Sequence, residues 1–262
     1  MQLQELFDSL AIEGVLAVIA LAAVIASEAG FRHGRWLQAR SPEEKEGPTS
    51  MIVGSLLALM GFLLAIAMGM ASDRFDTRRG LVVAQANSVS TTYLRAGYLP
   101  EPASTQVREM LRDYAPQLII KNDMSDIKSK LARADELHAE LWAVTESLAR
   151  ELPNSDMLAL FIVSLNETID LHTTRLIAGR DARVPSTVIF FLLMGSMLTL
   201  GMVGYNAGLT RRRSTLTSAI LIVVLSAVIT MVIDLDRPRD GFLVLNQQAL
   251  IDLQQFVGAT NK

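Results

Sequence analysis

Gln85, Ser88, Thr92 and Arg95 recur at three- and four-residue spacing, with Thr91 beside them. On a 3.6-residue helix they form one stripe. Val82, Ala86, Val89 and Tyr93 form a second, apolar stripe. Neutral hydroxyls and amides at this spacing suit two roles: hydrogen bonding along a buried helix–helix seam, or lining a water-filled lumen. A plain solvated face more often carries Lys and Glu. Just upstream, DRFDTRR packs Asp73, Arg74, Asp76, Arg78 and Arg79 together. Far downstream, DLDRPRDG crowds Asp234, Asp236, Arg237, Arg239 and Asp240. A third polar stretch, LNETIDLHTTR, puts Asn166, Asp170 and Thr173 or Thr174 on one face, and His172 and Arg175 on the next. Interleaved signs of this kind form a charge network at a membrane edge (Asp73, Asp76, Asp170, Asp234 and Asp236 against Arg74, Arg78, Arg79, Arg175 and Arg237). Such pairs fix register more than they stabilise.

These groups need elements to hold them. The run MIVGSLLALMGFLLAIAMGMA, Met51 to Ala71, has the roughly 20 residues that cross a bilayer core as helix. It passes without proline into the polar stripe, so one helix leaves the membrane and continues into water. Gly54, Ala58, Gly61, Ala65 and Gly69 give it a ridge of small residues. That ridge permits close helix packing in lipid or leaves room along a narrow pore. Three further spans follow from composition: Ile12 to Gly30, Pro185 to Gly208, and Leu216 to Ile233. In the first, only Gly14 to Ser27 is free of charge, and Glu28 stands four residues before Arg32, a favourable ion-pair spacing. Phe31 to Thr49 reads as a polar connecting loop.

The expected organisation is a first helix pair (1–71), a helical extramembrane domain (72–184), a second helix pair (185–233) and an amphipathic tail (234–262). Within the domain, helices are expected at Ser104–Lys121, Asp123–Glu151 and Met157–Ala178, the last capped by Asn154-Ser155-Asp156. No stretch shows strand alternation. The fold class is all-α. The tail places Leu250, Leu253 and Phe256 or Val257 on one face, to lie on the bilayer or pack back on the domain.

The 262 residues are half hydrophobic, with mean hydropathy above zero and a net charge of −3. This favours membrane lipids over nucleic acid as surroundings. Cysteine is absent, which removes disulfides, thiolate nucleophiles and cysteine metal sites. His33, His138 and His172 are too scattered in sequence for a metal motif. No catalytic grouping or phosphate-binding glycine loop occurs. No cofactor and no enzyme activity are expected. Met1 to Leu10 lacks the positive start of a secretory signal. The two short loops carry Arg32, Arg35, Arg40, Lys45, Arg211, Arg212 and Arg213, which leans toward loops inside and domain outside. Arg74, Arg78, Arg79, Arg180, Arg183, Arg237 and Arg239 at the opposite ends of the spans weigh against it.

RFDTRR (Arg74 to Arg79), ANSVSTTYLRAGYLP (Ala86 to Pro100), LNETIDLHTTR and DLDRPRDG together resemble the bacterial bestrophin-like membrane-protein family. The resemblance runs from about Met51 to Leu253. It implies a distant relationship to bestrophins, pentameric anion channels with four membrane helices per subunit and a helical cytosolic domain. It therefore implies a homo-oligomer in the bacterial inner membrane, with the second span along the axis. Gly54, Ala58, Gly61, Phe62, Ala65, Gln85, Ser88, Thr92 and Arg95 are then the pore-lining candidates. Phe62, with Leu59, Leu63 and Ile66, is the bulky group available for an apolar neck. Asp234, Asp236 and Asp240 stand where some bestrophins bind calcium, although the interleaved arginines favour neutralisation instead. Two functions compete: an oligomeric ion channel, and a non-conducting scaffold or sensor held by the charge network.

Overall fold

The structure is a computed structural model. It describes residues 7–8, 10–40, 46–120, 124–180, 182–210, 215–237 and 241–259. Among these there are eight principal helices and no strand: α1 Ile12–Arg40, α2 Glu46–Arg95, α3 Ala103–Gln117, α4 Met124–Glu151, α5 Asp156–Arg180, α6 Ser186–Thr210, α7 Thr215–Asp236 and α8 Gln248–Ala259. Four of them, α1, α2, α6 and α7, are long and apolar enough to cross a membrane. The chain divides into two units. One comprises Met1–Phe75 and Arg183–Val244, the other Asp76–Ala182 and Leu245–Lys262.

α2 is 50 residues long, about 75 Å at helical rise, and contributes to both units. Pro48 falls in its first turn, where the missing N–H costs nothing. The helix stops at Arg95, followed by one 3₁₀ turn, Ala96–Tyr98, before Pro100 and Pro102.

α1 departs from the expected loop at Phe31. It runs on as helix to Arg40. No proline occurs before Pro42, and charge alone does not end a helix. Two glycines in this stretch explain the extension. A Cβ added at Gly30 would overlap the Gly201 carbonyl oxygen, and one at Gly34 the Tyr205 carbonyl oxygen. Across the seam, Gly204 and Gly208 of α6 meet the carbonyls of Ser27 and Phe31 in the same way. Lipid tails are as apolar as leucine, so helices in a bilayer gain little from hiding grease. Close approach of small residues provides the attraction instead. Ile19, Ala23, Ile189, Leu192, Leu200, Ile229 and Val232 fill the core of this unit around the seam.

The extramembrane unit is a water-type bundle with a conventional core. Tyr93, Leu111, Tyr114, Leu137, Leu141, Phe161 and Leu165 are fully buried in it. The Ser155 hydroxyl accepts the Leu158 N–H at 3.2 Å and starts α5, as its position before an apolar run predicts. The tail takes the second of its two expected placements. α8 packs back with Leu250, Leu253 and Val257 buried. Arg112 donates to the Val257 carbonyl at 3.0 Å and to the Tyr93 hydroxyl at 2.8 Å. The Gln247 side chain closes a two-way bond with the Ile120 backbone at 2.8 and 2.9 Å.

Glycines in the two spans therefore respond differently to a methyl group. Gly204→Ala wedges α1 from α6 and costs about 1–3 kcal/mol, the usual range for overpacking. Gly61→Ala meets nothing within 4 Å and should be neutral or gain up to about 1 kcal/mol of helix propensity. Thermal melting of the purified protein in detergent checks this; equal losses would remove the α1–α6 contact from the account.

Candidate functional site

The membrane half of α2 shows two unlike faces. Val53, Met60, Leu64, Ala67 and Ala71 are buried, and Met60 reaches α6, where the Ser196 hydroxyl lies 3.3 Å from its sulfur. The ridge of Gly54, Ala58, Gly61 and Ala65 is exposed. An added Cβ at Gly54, Gly61 or Gly69 meets no atom within 4 Å. The ridge thus does no packing within the protomer, unlike the glycines of α1 and α6. Phe62 is the most open aromatic on this helix, 63% exposed, and Leu59, Leu63 and Ile66 are exposed beside it.

The polar stripe resolves the other way. Gln85, Ser88 and Thr92 are buried in the extramembrane unit, so they form a seam and not an open lumen face. The Thr92 and Thr168 hydroxyls lie 2.9 Å apart, Thr168 donates to Ser88 at 3.3 Å, and Gln85 donates to the Thr168 carbonyl at 3.3 Å. Arg95 completes the α2–α5 contact by donating to the Leu160 carbonyl at 2.8 Å. The lumen reading is corrected for Gln85, Ser88 and Thr92, which are buried; Arg95 is only half-buried. Buried hydroxyls without partners would be costly, and α5 supplies the partners.

Several of the edge charges are held by backbone groups. Asp234 is buried and accepts the N–H groups of Phe242 and Leu243, each at 3.0 Å, one on each carboxylate oxygen. It caps the chain where it turns back after α7, and Gly241 fits because a Cβ there would overlap the same carboxylate. Asp236 accepts the Val184 N–H at 2.6 Å, and Arg237 donates to the Phe7 carbonyl. These carboxylates serve backbone donors, so the calcium reading gains no support; its third residue, Asp240, lies outside the described residues. Arg183 pairs with Asp8 at 2.8 Å, a partner the sequence did not flag. Asp170 and Arg175 do not join a network. Five residues apart on a helix, they point different ways: Asp170 is exposed and accepts from Asn166 at 3.3 Å, while Arg175 donates to the Leu118 carbonyl at 2.6 Å. Arg78 is buried, whereas Asp73, Arg74, Asp76 and Arg79 are exposed.

A cluster that sequence spacing missed lies in the extramembrane unit. Tyr114 from α3, His138 from α4 and His172 from α5 pack in tilted and edge-on pairs with ring centroids 4.9–5.9 Å apart. Gln85 donates to the Tyr114 hydroxyl at 3.2 Å, so that hydroxyl is placed to donate onward to His172 Nδ1 at 3.1 Å. Burial pushes the Tyr114 hydroxyl well above its usual range, against the lowering effect of Arg175. Burial lowers His138, opposed by Asp135. Burial, then the neighbouring His138 and Arg175, lower His172 to about 4.

A model of the Bestrophin-like domain matches residues 19–250. The chain belongs to the Bestrophin-like family. Solved structures agree on the fold. A variant of a bacterial bestrophin homologue from Klebsiella pneumoniae is 15% identical, with a TM-score of 0.66, over 94% of this chain and 97% of that one. A second structure of that homologue gives 13% identity and a TM-score of 0.63 over 94% and 97%. A structure described as a membrane protein gives 13% identity and 0.66 over 96% and 99%. No curated protein sequence matches the chain. This bestrophin-like protein is thus an integral membrane protein with four candidate membrane-spanning helices and no strand among its described residues.

The histidine cluster sets a pH limit on the bestrophin-like extramembrane unit. Both histidines have folded values below the unfolded value, so their neutral forms support the fold. The contribution is complete above about pH 6.5 and is lost as pH falls through about 4. For His172 it amounts to about 3 kcal/mol, at 1.36 kcal/mol per pH unit. Melting temperature should therefore drop between pH 6.5 and 4, and His138→Phe should remove part of that drop. An unchanged profile in the variant would show that carboxylates alone carry it.

Proposed function

We propose that the chain forms an oligomeric ion channel, anion-permeable and pentameric as the family resemblance implies, with α2 lining the axis. One observation carries the reading: the outward small-residue ridge of α2, which packs against nothing in its own protomer. A helix that lines an axis needs such a face, since small side chains leave width for ions. Phe62 and its apolar neighbours adjoin the ridge and supply a constriction that gates by dewetting. The exposed Arg74 and Arg79 at the exit of the span raise local anion concentration. The pore-lining set on this reading is Gly54, Ala58, Gly61, Phe62 and Ala65. The scaffold alternative rested on an Asp–Arg network, and Asp170, Arg175 and Asp234 serve other partners.

The short-loop arginines support an extramembrane unit outside the bacterial inner membrane, and the bestrophin resemblance supports a cytosolic one. A single cysteine at exposed Glu140 distinguishes them. It reacts with an impermeant reagent in intact cells in the first case and only after permeabilisation in the second.

Purified protein in planar bilayers should pass chloride current, with reversal potentials following the chloride gradient. Phe62→Ala should raise open probability or unitary conductance severalfold, the effect of removing a dewetting constriction. Silence from a verified oligomer across salts and voltages would contradict the channel reading.

A further inference from the structure

In the extramembrane unit, His172 and Arg175 of α5 line one small cavity of about 10 Å³, walled by Leu118, Leu131 and Leu176. That is room for a single water or an ion of similar size. Gln117 also borders it and turns its amide N–H to Asp113. His172 is 5% exposed. Its Nδ1 faces the Tyr114 hydroxyl, which accepts from Gln85 and donates onward, so the ring proton sits on Nε2. Nε2 is buried and has no hydrogen-bond partner. Arg175 is the second unanswered donor. A guanidinium has five N–H groups, and one of these bonds the Leu118 carbonyl at 2.6 Å. Among the described residues no carboxylate pairs with Arg175 and none lines the cavity. Burial pushes the guanidinium below its ordinary value, opposed by the Tyr114 hydroxyl. A positive charge taken from water without a counter-ion is costly.

The geometry points to a binding site for one chloride ion, held between the His172 Nε2–H and the Arg175 guanidinium as a structural anion of the extramembrane unit. A water there would answer the imidazole N–H but leave the guanidinium charge uncompensated. A chloride ion occupies about the space of a water, accepts from several donors at once and supplies the missing negative charge. Phosphate, sulfate and carboxylate ligands exceed the space. Tyr114 stays protonated because burial raises it, so its oxygen is no substitute counter-ion. The leucine walls keep the dielectric low, which strengthens the attraction between ion and guanidinium. No ridge residue of α2 takes part, and the inference is independent of ion conduction.

Crystals of the full chain grown in sodium chloride test it, with data collected at a long wavelength where chlorine scatters anomalously and water does not. The methionine sulfurs give the internal standard. An anomalous peak should stand in the cavity, touching His172 and Arg175. A cavity without one, dry or holding water, overturns the proposal, and that measurement needs no variant to fold. In solution, replacing gluconate by chloride at constant ionic strength should raise the melting temperature of the detergent-purified chain. The rise should saturate at about 5 °C, as for a ligand bound only by the folded state. Arg175→Met should abolish it, and His172→Phe should reduce it at least twofold. A rise undiminished in either variant also overturns the proposal.

Discussion

Close backbone contact between α1 and α6 is the constraint from which the membrane unit follows. In a bilayer, apolar side chains do not drive helices together, so some pair must touch closely enough for dispersion to matter. Gly30 and Gly34 on one helix and Gly204 and Gly208 on the other allow it, because each meets a carbonyl that any side chain would displace. α2 is held differently. It reaches α6 through a long, adaptable methionine, Met60, and keeps its own glycines facing away. The same residue type therefore does two jobs in one unit: adhesion in α1 and α6, and an unfilled face in α2.

Outside the membrane the polar economy reverses. Water competes there for every exposed donor, and a buried hydroxyl needs a protein partner. Thr92, Thr168, Ser88 and the side-chain N–H of Gln85 bond along the seam between α2 and α5. At the membrane edge, Asp234 and Asp236 answer backbone N–H groups where α7 ends and where α6 is entered. A backbone N–H is weakly hydrated beside lipid, so a carboxylate that accepts it removes two polar liabilities together. This accounts for Asp234 and Asp236 at the edge.

Much of this was legible in the residues. The four spans, the long unbroken α2, the Ser155 cap and the all-helical domain follow from hydropathy, proline placement and capping chemistry. The polar stripe was legible only as two alternatives, since a seam and a lumen demand the same residue types; α5 decides between them. Phe31 to Arg40 misled because its arginines read as loop, while the glycines that seat it against α6 have partners about 170 residues away. The Tyr114–His138–His172 cluster comes from three separate helices, so no local spacing encodes it. Asp234 looked like a charge-network member because its true partners are backbone groups, which leave no signature in side-chain identity.

The central claim is that the outward ridge of α2 borders the conducting path. The chain has no native cysteine, so single cysteines placed along α2 report without background. A charged, membrane-impermeant thiol reagent applied to open channels should alter current at Gly54, Ala58, Gly61 and Ala65. It should leave current unchanged at Val53, Leu64 and Ala67, which are buried against the protomer. Modification of the buried set with no effect at the ridge would contradict the account.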